Sequence, residues 1–85
     1  MTMQHLPVIK EFIIENFLFG DGENLQDDAS FMDNGIIDST GILELITFLE
    51  EKFGISVKDD ELVPDNLDSL TKVSGYLERK LQAGQ

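Results

Sequence analysis

The dipeptide Asp38-Ser39 is the place in this chain where residue type and setting suggest chemistry. A serine hydroxyl directly after an acid can do one of two things. It can cap a helix by accepting a backbone N–H, or it can serve as a reacting oxygen. The segment Gly35-Ile36-Ile37-Asp38-Ser39-Thr40-Gly41-Ile42-Leu43-Glu44-Leu45 places it where a long loop meets an apolar helix. Either Asp38 or Ser39 suits the cap position, and the sequence leaves both open. For an arbitrary Asp-Ser pair, capping is the ordinary explanation.

No other constellation competes with it. His5 is the only histidine and sits near a terminus, so a Ser-His pair would depend on a poorly held base. Cysteine is absent, which removes thiolate catalysis, disulfides and cysteine zinc sites, and no paired-histidine set replaces them. The window from Asp21 to Met32 resembles a calcium loop only superficially: Gln26 stands where glycine is needed and Met32 where a bidentate glutamate belongs. Asp27-Asp28 and Asp59-Asp60 read as solvated charge. The expectation is no catalytic residue and no metal site. A chain with an accessible serine and no catalytic set is a substrate of enzymes rather than an enzyme.

The elements that must hold the serine follow from apolar spacing. Leu6, Ile9, Ile13 and Phe17, with Phe12 beside them, predict a first helix over about 3–18, with Pro7 tolerated in its first turn. Gly20 and Gly22 break that pattern. Residues 20–38 read as a long loop pinned by Leu25, Phe31, Ile36 and Ile37. Ile42, Leu45, Ile46, Leu49 and Phe53 predict a second helix over 39–53, with Gly54 as a left-handed C-cap and Lys52 suiting the dipole at its end. Asp59, Asp60 and Glu61 are expected to begin a short turn that Pro64 ends. A further short helical turn is expected over about 65–68. Val73, Tyr76, Leu77 and Leu81 predict a last helix over 71–82, capped by Thr71 or Ser69. The fold class is therefore all-α: a small antiparallel bundle of three main helices plus one short helix, with a long first connection, forming one domain over 1–85.

Charge narrows the partners. There are 17 acidic and six basic residues, for a formal net charge of -11. From Asp21 through Glu51 there are nine acidic residues and no Lys or Arg. Such a surface repels nucleic acid and anionic membranes and suits proteins with basic patches. No apolar run approaches the roughly 20 residues of a membrane span. The N-terminus lacks a basic stretch followed by an apolar run, so the cytoplasm is the expected compartment. The chain is expected to be a monomer, and with Ser39 as nothing more than a cap it would be an acidic helical interaction module.

Three segments in order carry a resemblance: Phe31-x-x-x-Gly35-Ile36-Ile37-Asp38-Ser39, then Glu50-Glu51-Lys52-Phe53-Gly54-Ile55, then Val63-Pro64-Asp65-Asn66-Leu67. From about residue 6 to residue 81 the chain resembles the phosphopantetheine-dependent carrier proteins, acyl carriers and peptidyl or aminoacyl carriers alike. The resemblance implies that Ser39 takes 4′-phosphopantetheine from coenzyme A as a phosphodiester, and that the thiol of this arm holds cargo as a thioester. It implies that Asp38 helps recruit the phosphopantetheinyl transferase. Glu44, Glu50 and Glu51 would meet Lys and Arg on loading ligases or synthases, and Ile42 and Leu43 would supply the apolar part of that contact. The family usually has Leu after the serine. Here Thr40 and Gly41 put a β-branched polar residue and a flexible one in the first turn, which points to a free-standing carrier of a dedicated biosynthetic pathway, including amino-acid-loading ones.

Overall fold

The computed structural model describes residues 5–18 and 25–82, and these form helices and loops with no strand among them. Helix α1 spans Leu6–Phe17, α2 spans Ser39–Phe53, α3 spans Pro64–Leu67 and α4 spans Leu70–Gln82, with a single 3-10 turn at Asp59–Glu61. The expected extension of α1 back to residue 3, and the breaks at Gly20 and Gly22, lie outside the described residues. Leu18 closes α1 rather than belonging to it, its N–H donating to the Ile14 carbonyl.

Each helix is amphipathic by spacing and turns its apolar stripe inward. Ile9 and Ile13 of α1, Leu45, Ile46 and Leu49 of α2, and Val73, Tyr76 and Leu77 of α4 are buried in one core. Leu67 of α3 and Ile55, in the loop after α2, join it. Aromatic contacts fix the direction of α1 against α2. His5 packs edge-on against Phe53 with ring centres 4.9 Å apart, and Phe12 stacks on Phe48 at 4.1 Å. The start of α1 therefore meets the end of α2, and the two run antiparallel. His5, placed by sequence at a loose terminus, is half-buried in this contact.

Two ends depart from the sequence reading for local reasons. Pro64 does not end a turn; it opens α3 as the first helical residue, where a missing N–H costs nothing. Helix α4 starts one residue early, at Leu70, because Ser69 takes the cap: its Oγ accepts from the Lys72 N–H at 3.1 Å. Thr71 does other work. Its N–H and its hydroxyl both donate to the Asp27 carbonyl, at 2.9 and 3.1 Å.

Those bonds belong to the set that holds the long first connection. Phe31 is fully buried, and Leu25 and Ile37 nearly so, while Ile36 is half-buried, as expected. The polar clamp is Asp68. Its carboxylate accepts from the Ser30 hydroxyl and from the Met32 N–H at 3.0 Å, and its carbonyl accepts from the Phe31 N–H at 2.8 Å. Gly35, at φ 67°, then turns the chain into Ile36-Ile37-Asp38. The loop arrives at α2 along a fixed path, tied to the α3–α4 corner.

Candidate functional site

Helix α2 begins where the extended residue Asp38 meets the helical residue Ser39. Asp38 has φ -98° and ψ -175°, and its Oδ1 accepts from the Gly41 N–H at 2.7 Å. Asp38 is thus the N-cap, and of the two residues the sequence offered for that role, Ser39 is not the one used. Ser39 is the first helical residue, exposed, and its hydroxyl has no hydrogen-bond partner among the described residues. The N–H groups of Ser39 and Thr40 lie in the first turn, where no intrahelical acceptor exists. Together with the positive end of the helix dipole they favour a negative group attached at this oxygen. A phosphodiester on Ser39 Oγ therefore fits the donors present.

The first turn is close-packed rather than flexible, contrary to the reading of Gly41 from sequence. Gly41 is buried. A Cβ built on it would lie 2.7 Å from Cε1 of Phe17 and 2.9 Å from Cγ2 of Ile37. The glycine lets the end of α1 and the incoming loop both press on the turn that carries Ser39.

The other sequence-named residues divide into two groups. Thr40, Leu43, Glu44 and Glu51 are exposed, with Leu43 59% accessible although apolar. Ile42 is half-buried on the neighbouring side. Glu50 departs from its expected place in an outward acidic rim. It is half-buried, and its Oε2 accepts from the Val57 N–H at 2.9 Å, holding the strand-like loop after Gly54 against α2. Gly54 makes this return possible at φ 70°, in the left-handed region.

Two hollows flank the serine's helix face. One is an open groove of about 480 Å³ between α1 and α2, lined by Phe12, Thr40, Leu43, Glu44, Thr47, Phe48 and Glu51. The other is a smaller apolar cleft of about 90 Å³, lined by Met32, Ile42, Leu62, Val63, Pro64, Leu67 and Asp68. The wall of the cleft hangs on a polar hub that sequence reading did not identify. Glu61 Oε1 accepts from the Lys58 N–H at 2.9 Å, the Tyr76 hydroxyl at 2.9 Å and the Lys80 ammonium at 3.0 Å. The Lys58 N–H first, and then the Lys80 ammonium, hold the Glu61 carboxyl from its ordinary 4.5 down to about 2; burial opposes them and the Tyr76 hydroxyl adds to them. Burial, and then the bond to Glu61, push the Tyr76 phenol well above its ordinary value. Arg79 adds a bond to Asn66 Oδ1 at 3.1 Å, and Asn66 Nδ2 donates to the Glu61 carbonyl at 3.0 Å. Apart from the Lys58 bond, which spans three residues, these link residues 5 to 19 positions apart, and no local pattern signals them.

Among the described residues there is no cluster of three metal-ligating side chains, and no helix is long and apolar enough to cross a membrane.

With this geometry in view, likeness to known proteins is specific. The family described as "Phosphopantetheine attachment site" matches residues 13–77. An acyl carrier protein of Bdellovibrio bacteriovorus is 34% identical over 77 residues, covering 91% of this chain and 95% of that protein. A D-alanyl carrier protein of Abiotrophia defectiva is 29% identical over 56 residues, covering 66% of this chain and 71% of the other. The solution structure of a holo acyl carrier protein from Nitrosomonas europaea superposes with a TM-score of 0.77 at 28% identity, covering 93% of this chain and 98% of that one. The all-helical fold, the matched family and the holo relative agree. This chain belongs to the phosphopantetheine-dependent carrier proteins, a family of carriers rather than catalysts that bear 4′-phosphopantetheine as a covalent group.

Proposed function

We propose that Ser39 is the attachment point of the arm, and that this protein is a cytoplasmic monomer holding an acyl or aminoacyl group for a dedicated biosynthetic pathway. The observation that carries the assignment is the division of labour at the start of α2. Asp38 caps the helix, so the Ser39 oxygen is exposed and uncommitted. The competing reading, an acidic interaction module in which Ser39 only caps α2, loses its reason, because the cap is the aspartate.

The chain's own residues then do four things. Ser39 supplies the oxygen that joins the arm's phosphate. The open N–H groups of the first turn stabilise the charge that this bond leaves behind. Asp38, besides capping, offers its second carboxylate oxygen to a phosphopantetheinyl transferase. Thr40, Ile42, Leu43, Glu44 and Glu51 present an apolar spot with an acidic rim, to which loading ligases or synthases with basic patches can dock and from which they can leave, since rim charges raise encounter rates more than affinity. Glu50 supports that face by holding the Val57 loop. The arm, once attached, supplies a thiol for the thioester. Neither nucleic acid nor an anionic membrane is a partner, given the net charge of -11.

Intact-mass analysis after incubation with coenzyme A and a broad-specificity transferase tests the assignment. The expected result is a gain of one phosphopantetheine on the peptide containing Ser39, and none on Ser39→Ala. Continued labelling of Ser39→Ala, or no gain by a folded and initially unmodified chain, overturns it.

A further inference from the structure

Helix periodicity sets Ser39 on the ridge between the two hollows. Ile42, three residues on, faces the apolar cleft, while Leu43 and Thr47, four and eight residues on, face the α1–α2 groove. A group tethered at Ser39 thus has two neighbouring seats of different chemistry. The cleft is small and apolar, and the one carboxylate at its edge, Asp68, is already committed to Ser30 and Met32. The groove is several times larger. The stacked rings of Phe12 and Phe48 line it, and beside Phe48 on the same α2 face stand Glu44 and Glu51, both exposed and without a partner among the described residues. Among the described residues no basic one lines it. From Thr40 to Glu51 it follows α2 for about 16 Å.

We propose that this groove seats the cationic end of an aminoacyl cargo, with the ammonium toward Glu44 and Glu51 and the side chain toward Phe12 and Phe48. The inference rests on attachment at Ser39. Charge complementarity chooses the occupant. An α-amino group with the usual pKa of about 7.7–8.0 is cationic at neutral pH, whereas an acyl group of the same shape gains nothing from two carboxylates and is better served by the cleft at Ile42. The contacts are solvent-exposed and would not retain a free amino acid. A tethered cargo is different, because the short link holds it at an effective concentration on the order of millimolar. Weak preferences between adjacent seats then decide where it rests. The groove therefore sorts cargo by charge, which a uniformly apolar surface beside the serine would not do.

The experiment compares two isosteric loads, alanyl and isobutyryl, on protein carrying an arm with an amine in place of its terminal thiol, so that each load is joined through an amide that does not hydrolyse, with loading verified by intact mass. Isotope-resolved NMR should show the alanyl form shifting Thr40, Leu43 and Thr47 and the rings of Phe12 and Phe48, with cross-relaxation between the alanyl methyl and those rings. Added salt, or the double substitution Glu44→Gln and Glu51→Gln, should abolish these effects. The isobutyryl form should instead move Ile42, Met32 and Leu62. Identical maps for the two loads, or alanyl effects confined to the cleft or to Ser39 itself, overturn the groove assignment while leaving attachment intact. No mass gain at Ser39 overturns the attachment, and this inference with it.

Discussion

Replacing Gly41 by alanine pits two well-measured effects against each other. Glycine in a helix interior is worse than alanine by about 0.8–1.0 kcal/mol, so propensity alone predicts that Gly41→Ala stabilises α2. The packing predicts the reverse. The new methyl would stand 2.7 Å from the Phe17 ring and 2.9 Å from the Ile37 methyl, and Ile37 is 2% exposed and cannot swing outward. The Asp38 Oδ1 at 3.3 Å adds a third contact, on the capping oxygen itself. Overpacking a filled site costs typically 1–3 kcal/mol. Less the propensity gain, the net loss is about 0–2 kcal/mol, centred near 1 kcal/mol. For a domain of this size each kcal/mol lowers the melting temperature by roughly 4–8 °C. Thermal unfolding of the purified variant, followed by far-ultraviolet circular dichroism, should show a drop of that order. The double variant with Phe17→Leu should recover part of it, because the two substitutions share one contact. A Gly41→Ala protein that melts higher than the parent would refute the packing argument and leave propensity as the stronger effect.

Four further outcomes follow from the same geometry. Asp38→Ala removes the cap and should cost about 0.5–2 kcal/mol, whereas Ser39→Ala should leave denaturant midpoints within about 0.5 kcal/mol of the parent; equal losses would mean that the serine shares the cap. The Glu61 carboxyl, depressed to about 2, contributes stability that is present above 4.5 and lost as pH falls from there toward 2, so acid unfolding of Glu61→Gln should be shallower than that of the parent over this window. Tyr76 works in the opposite sense, its contribution full below 10.0 and falling as pH rises above it. Glu78 is 9% exposed with Oε2 buried and unpartnered among the described residues, so the similarly sized Glu78→Met should raise stability by about 1–3 kcal/mol in urea titration; a loss would reveal a partner for that carboxylate.

The helices were legible because their signals are local. Helix α2 has the bounds its spacing predicts, since an acid before it and a glycine after it are both read within one turn. Pro64 was misread because a proline stops one helix and starts another with equal ease, and only the preceding extended residue, Val63, tells which. Ser69 and Thr71 are equal candidates for the α4 cap by sequence, and it is the Asp27 carbonyl, 44 residues away in sequence, that occupies Thr71. Glu50 looked like one more acid on an acidic helix. Its inward bond depends on how the chain returns after Gly54, and that is a tertiary fact. The serine itself was singled out by its surroundings, but its freedom was not readable: one hydrogen bond, from the Gly41 N–H to Asp38, decides which of two adjacent residues is structural.

That bond also determines what the fold can register. The oxygen of Ser39 touches nothing that the core depends on, and the turn beneath it is set by Asp38, Gly41, Phe17 and Ile37. Adding a group to that oxygen, or stripping it off, leaves every one of those contacts in place. Unmodified and modified chains should then share one backbone and differ in stability only by the roughly 0.3–1 kcal/mol that a negative group gains at a helix N-terminus. If Ser39 bears the arm as proposed, an enzyme that must tell the two states apart has to feel for the arm itself, because the backbone underneath keeps one shape.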